Sequence, residues 1–182
     1  MHKFFEVFKT LKLPEDLAVY FENVEVTKVS KTSTNSLARV YIKSDRVIEK
    51  PIIFKVEDAL KRQIFRISNM DVRIVDRYVL SKQYTPQTVM DIYYDSILAE
   101  LEKYWTLEYN LLKNSRWEFV EEDRLVFTIE DRFLAHQYAE TLTDYFKKIF
   151  LNRFGFEIDV EYQYAKKKEK KKKKENAYKI NL

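Results

Sequence analysis

The chain contains no cysteine and a single glycine, Gly155. Without cysteine there is no disulfide framework, no thiol nucleophile and no thiolate zinc site. One glycine excludes the phosphate cradles that need several for close backbone approach: the Walker A loop, the dinucleotide fingerprint and the GxxG clamp of KH domains. Two histidines, His2 and His136, cannot build a multi-histidine metal centre. No apolar run is long enough to span a bilayer, and no charged-then-apolar leader opens the chain, so a cytoplasmic protein with no membrane partner is expected. These absences remove most catalytic, metal and phosphate chemistry. The expectation is a binding module with no catalytic residue, no metal site and no cofactor.

What the chain does have is aromatic mass and unevenly placed charge. Its 13 Tyr, 13 Phe and 2 Trp let 182 residues bury one core or two small ones without disulfides. The net charge of +4 divides sharply along the sequence: positions 166–182 hold nine Lys and two Glu, leaving 24 basic and 27 acidic residues in the body. Within the body, residues 1–80 carry 15 basic and 11 acidic side chains, and residues 81–165 carry 9 and 16. The alkaline character belongs to a tail, and the two halves of the body differ in sign.

The periodicities give an order of elements. Phe4, Phe5, Phe8 and Leu11 sit at helical spacing over 2–11, and Pro14 opens a second short helix through Phe21. Residues 24–31 and 37–43 read as strands joined by a polar turn. In the second of them Ala38, Val40 and Ile42 alternate with Arg39, Tyr41 and Lys43. A helix over 52–66 ends at Ser68-Asn69, where Asn tolerates the left-handed conformation, and a strand follows over 70–78 with Met70, Val72 and Ile74 inward. The second half repeats the order. Thr85 is an N-cap with Pro86 at the first helical position, ahead of the stripe Met90, Tyr93, Ile97, Leu101, Tyr104. A shorter helix covers 107–113, and 117–120 with 125–129 make a hairpin. Asp131 caps a long helix with the stripe Leu134, Tyr138, Leu142, Tyr145, Ile149. Gly155 supplies the positive φ that ends it, and a strand runs over 156–164 with Phe156, Ile158, Val160, Tyr162 and Tyr164 on one face.

The fold class expected is therefore α+β: two small lobes, 1–80 and 81–164, each helix-helix-β-β-α-β with a three-stranded sheet. Residues 165–182 form a Lys-rich linker or tail that repels itself and is expected to be disordered, with Tyr178–Leu182 as the start of a further strand.

Several side chains invite a chemical reading. Asp91 and Asp95, four apart on a helix, could bracket a cation, but no third carboxylate is in register and a solvated face is favoured. Glu121-Glu122-Asp123 lacks the glycine and ligand spacing of a calcium loop. His136 has no nucleophile signature and reads as a surface or boundary residue. Phe146, Phe150 and Phe154 form a second apolar stripe on the long helix, either buried or offered as a docking patch. The outward face of the first sheet collects Arg39, Tyr41, Lys43, Arg73 and Arg77, cations around an aromatic, a face for nucleic acid or an acidic partner. The second sheet offers Glu118, Glu157, Asp159 and Glu161, which repel phosphates and suit a basic partner. Lys166, Lys167, Lys168, Lys170, Lys171, Lys172, Lys173 and Lys174 attract nucleic acid weakly and without sequence preference.

Taken together, several segments carry a resemblance. They are the helix ending in Tyr20-Phe21-Glu22 and the following strand with Lys28 and Lys31, the basic strand 37–43, the tyrosine-bearing helix 85–104, and the long helix closing in Phe154-Gly155-Phe156 before a strand. Over residues 4–164 the chain resembles the amino-terminal region of the PolC-type alpha chain of DNA polymerase III of low-GC Gram-positive-like bacteria. It departs from that family at Val24, where glycine is usual, and in a linker that is nearly all lysine. The resemblance implies a non-catalytic region ahead of the polymerase's catalytic parts, a KH-like fold without the GxxG loop, and a replisome partner such as the clamp-loader tau subunit. A protein-interaction module that tethers the polymerase is the first reading. The alternative is an accessory domain binding single-stranded or duplex DNA through the first sheet and the lysine tail.

Overall fold

The computed structural model describes residues 2–34 and 36–166. Of the tail, Lys166 is described and exposed; the other tail lysines and the Tyr178–Leu182 segment lie outside the described residues. Helices and strands mix throughout, in two small sheets, and the fold is α+β.

The first half holds β1 (His2–Lys3), α1 (Phe4–Val7), α2 (Glu15–Phe21), β2 (Glu25–Lys31), β3 (Leu37–Ser44), α3 (Lys50–Gln63) and β4 (Asp71–Tyr78). Its sheet has four strands in the order β1-β2-β3-β4, one more than the alternation of residues suggested. The extra strand, β1, takes residues expected to be helical and pairs His2 with Val26 and Lys3 with Glu25. Helix α1 is a single turn, too short to be stable alone. It is held because Phe4 buries completely against Phe5, Phe8 and Phe21, at ring-centroid distances of 5.5, 5.1 and 4.7 Å. Strands β2 and β3 run antiparallel, with an irregularity between Val26 and Lys28, and β3 and β4 run parallel. That parallel pair requires a crossover, and α3 provides it. The crossover returns through Asn69 at φ 48°, the left-handed conformation its side chain tolerates.

The second half holds α4 (Pro86–Tyr104), α5 (Thr106–Leu112), β5 (Arg116–Phe119), β6 (Arg124–Glu130), α6 (Phe133–Ile149) and β7 (Asp159–Ala165). The order is β5-β6-β7, with β5 antiparallel and β7 parallel to β6, so this sheet repeats the β-β-α-β course of the first. Thr85 caps α4 through its hydroxyl, which accepts from the Thr88 N–H, and Pro86 occupies the first turn. Helix α6 continues as a π-helical turn (Phe150–Phe154) and stops at Gly155, φ 77°, whose N–H donates to the Leu151 carbonyl.

Two expectations for α6 need correction. Arg132, not Asp131, is the N-cap residue, because the Asp131 N–H is used by the Ala165 carbonyl at the end of β7 and its carboxylate meets His136. Leu134 is exposed; of the rest of the expected stripe Leu142 and Ile149 are buried and Tyr138 and Tyr145 pack half-buried against the core, where Ala135 and Phe146 join them. Phe146, Phe150 and Phe154 are buried, which removes the docking-patch reading of that stripe.

Strand register follows the alternation. Val40, Ile42, Val72 and Ile74 are buried in the first half, and Leu125, Phe127 and Ile158 in the second, with Val160 half-buried, while Asp159 is exposed. Buried apolar residues from both halves form one continuous cluster. No helix among the described residues is long and apolar enough to cross a membrane.

Candidate functional site

The two halves meet along the free edge of β4. Its Ile74 N–H, which has no strand beside it, donates to Glu57 Oε1 of α3 at 2.7 Å. Burial pushes the Glu57 carboxyl above its ordinary value, against the pull of that N–H and of Lys103, whose Nζ is 3.7 Å from Oε2.

Next to this edge lies a feature that the sequence reading missed: a buried quartet of charges. Lys50 of α3 places Nζ 2.6 Å from Asp76 Oδ1 and 3.5 Å from Glu100 Oε2. Arg153 of the π-helical turn donates from NH2 to Glu100 Oε1 at 2.7 Å, its NH1 forms an ion pair with Oε2 at 2.7 Å, and its Nε is 3.5 Å from Asp76 Oδ1. Tyr93 donates its hydroxyl to Asp76 Oδ2 at 3.0 Å, and the Lys50 N–H donates to Ser96 Oγ at 3.1 Å. Two cations and two anions thus cancel, one of each sign from either half. Burial raises the Asp76 and Glu100 carboxyls, but Lys50 and Arg153 together outweigh it and hold both below the ordinary carboxylate range. Burial, reinforced by the Asp76 charge, pushes the Tyr93 and Tyr78 hydroxyls well up. A signal was present in the sequence. Asp76 continues the inward series Val72, Ile74 and precedes Tyr78, so a carboxylate stands at a core position and demands a buried cation.

This quartet is the floor of a cleft of about 730 Å³ between the halves. The outward face of β3 and β4 forms one wall, and the end of α4 with α6 and the π-helical turn forms the other. The structure does bring the basic residues of the first sheet together. Across β3 and β4, Arg39 stands opposite Arg73, Tyr41 opposite Val75 and Lys43 opposite Arg77, so two cation rows flank an aromatic row. Arg77 is exposed, and Arg39, Tyr41, Lys43 and Arg73 are half-buried. Lys28, opposite Tyr41 on β2, holds Nζ 5.6 Å from its ring centroid. Arg73 lies 4.4 Å over the ring of Tyr104, a residue of the second half.

The acidic residues of the second sheet are brought together less completely. Glu118 and Glu161 flank Val126 in one row across the outer face. Glu161 lies 3.5 Å from Arg124, and Asp159 accepts from Lys147 at 2.8 Å, which lowers the Asp159 carboxyl. Glu118 and Glu157 are exposed. Away from both faces, Asp91 accepts from Gln87 at 3.0 Å on the solvent side of α4, and His136 stacks on Tyr164 at 3.8 Å. In the β5–β6 turn, Glu121 pairs with Arg124 at 2.7 Å. Among the described residues no group of three or more His, Cys, Asp or Glu is placed to hold a metal ion.

Comparison with known families falls on the half that carries the basic face. Residues 3–74 match the DNA polymerase III polC-type N-terminus I family. The match runs from β1 into β4 and includes Arg39, Tyr41, Lys43 and Arg73. Over those residues the chain is similar to a DNA polymerase III amino-terminal region, and the resemblance read from the sequence holds there. Comparison with curated proteins finds no match.

Proposed function

We propose that this chain is a non-catalytic amino-terminal module of a polC-type DNA polymerase III and tethers the catalytic parts to another replisome protein. The observation that carries this reading is the polC-type match over residues 3–74. The lack of cysteine and the single glycine agree with a role in binding rather than catalysis. Residues 1–80 and 81–164 act as two lobes, each KH-like in its β-β-α-β course and without a GxxG loop. The docking face is the outer side of the second sheet with the segment leading into β7, where exposed Glu118 and Glu157 suit a basic partner, and the clamp-loader tau subunit is the first candidate. The test is isothermal titration of the full chain with purified tau subunit at two salt concentrations. Binding is expected, and Glu118→Lys with Glu157→Lys should weaken it by roughly tenfold or more, since juxtaposed like charges cost several kcal/mol. Absence of binding, or binding indifferent to both reversals, overturns the assignment of this face.

A second reading is favoured by one observation, the register of β3 against β4. Arg39 with Arg73 and Lys43 with Arg77 bracket Tyr41, an arrangement suited to a phosphate backbone with a stacked base. On this reading the module also binds DNA through the first sheet, aided by the lysine tail.

A further inference from the structure

We infer that the cleft between the two halves, rather than the open sheet face alone, is a binding site for single-stranded nucleic acid, an inference that rests on the second reading above. Four cations line it outside the neutral quartet: Lys43, Arg73 and Arg77 from the first half and Lys148 from the second. Aromatic rings line it from both sides as well. Tyr41 comes from the first sheet, and Tyr104 and exposed Trp105 come from the end of α4, their rings 5.8 Å apart. Behind Trp105, at 5.4 Å, stands Tyr145, whose buried hydroxyl has no hydrogen-bond partner among the described residues. A buried hydroxyl left unbonded costs free energy that a ligand's donor or acceptor would recover.

The arrangement selects a single strand over a duplex. A duplex offers a protein its phosphates and groove edges, and its bases stay stacked inside. The cleft pairs cations with ring faces, which is what an unpaired strand with exposed bases can use. The two cation rows of β3 and β4 lie four residues apart, about 13 Å at strand rise, with the Tyr41 row between them. Phosphates on the rows would leave the intervening base over the aromatic row. The quartet beneath contributes no net charge, so attraction comes from the rim, and the floor serves to hold the two walls together.

The test is fluorescence anisotropy with the full-length chain in which the eight lysines between 166 and 174 are changed to Gln, removing the tail's contribution. The probes are an oligothymidylate of about 12 nucleotides, within the usual span of single-strand sites, and a duplex of equal length. Binding to the single strand is expected, and it should exceed binding to the duplex. Trp105→Ala should weaken it roughly 5- to 150-fold, the equivalent of losing one stacked base. Lys148→Gln, at an exposed position, should lower the salt slope by about 0.7, with melting unchanged. Single-strand binding that is insensitive to Trp105→Ala and Lys148→Gln but lost in Arg39→Ala overturns the cleft and leaves the open-face reading standing. No binding by the tail-neutral protein overturns both. Displacement of the oligonucleotide by poly-glutamate at equal charge concentration also overturns the proposal and assigns the cleft to an acidic protein.

Discussion

The first half of this chain and the second follow the same course and present opposite surfaces. Each lays an antiparallel pair, crosses over a helix and adds a parallel strand, and each returns from that crossover through a residue of positive φ, Asn69 at 48° and Gly155 at 77°. On the outer faces, however, Arg39, Lys43, Arg73 and Arg77 stand in the first sheet where Glu118, Asp159 and Glu161 stand in the second. The inward positions are constrained by packing, because a one-residue slip would expose every core side chain. The outward positions carry no such constraint and are free to take opposite charge. Shared topology here says nothing about a shared partner.

The strongest way to break the comparison is at the join. Asp76→Asn leaves Lys50 buried without its carboxylate, and removing one partner of a buried ion pair costs about 3–5 kcal/mol. Guanidinium unfolding monitored by circular dichroism should register that loss. Replacing Lys50 by Met and Asp76 by Leu together should recover much of it, since Arg153 and Glu100 still neutralise one another.

Acid should loosen the same join. Asp76 and Glu100 titrate below the ordinary carboxylate range in the folded chain. Their stabilisation is therefore complete above the unfolded value of about 4 and is lost as pH falls below it toward the folded values. Glu57 has the opposite sign: its folded value is raised, so its protonation favours the folded state and offsets part of the loss. Denaturant midpoints between pH 6 and pH 3 should fall for the native sequence, and fall less for Asp76→Asn.

A smaller effect separates the two crossover returns. At Gly155 a Cβ meets nothing within 4 Å, so Gly155→Ala costs only the left-handed backbone, about 1–2 kcal/mol, and Gly155→Asn costs less. Asn69→Gly should be tolerated within about 0.5 kcal/mol, because the backbone there already suits glycine. Thermal melts of the three variants give the ranking.

The smallest difference lies at the helix starts. Thr85→Ala removes a hydroxyl cap from α4 and should cost about 1 kcal/mol. Asp131→Ala should cost under about 0.5 kcal/mol, since that carboxylate caps nothing at α6. Equal losses in the two variants would contradict the capping assigned to α6.

Much of this was legible from residues alone, and the misses have physical causes. Alternation placed Val40, Ile42, Leu125 and Phe127 inward, and Thr85-Pro86 and Gly155 marked helix ends, because each of these signals is local. The start of α6 misled, since Asp131 is a good cap by type and its backbone was taken by β7, a partner 34 residues on. The N-terminal stretch misled similarly: helical spacing of phenylalanines also fits a single turn after a two-residue strand, once β2 is there to pair with it.

The sequence by itself determined the α+β class, the inward registers and the basic and acidic strands. Each follows from period, turn chemistry or composition within a short window. Only the tertiary structure decided that Lys50, Asp76, Glu100 and Arg153 share one buried cluster and that Trp105 and Tyr41 line one cleft. Those contacts join elements that local periodicity treats as independent. Their energy depends on burial and on ångström distances between charges, and neither exists until the two sheets are packed.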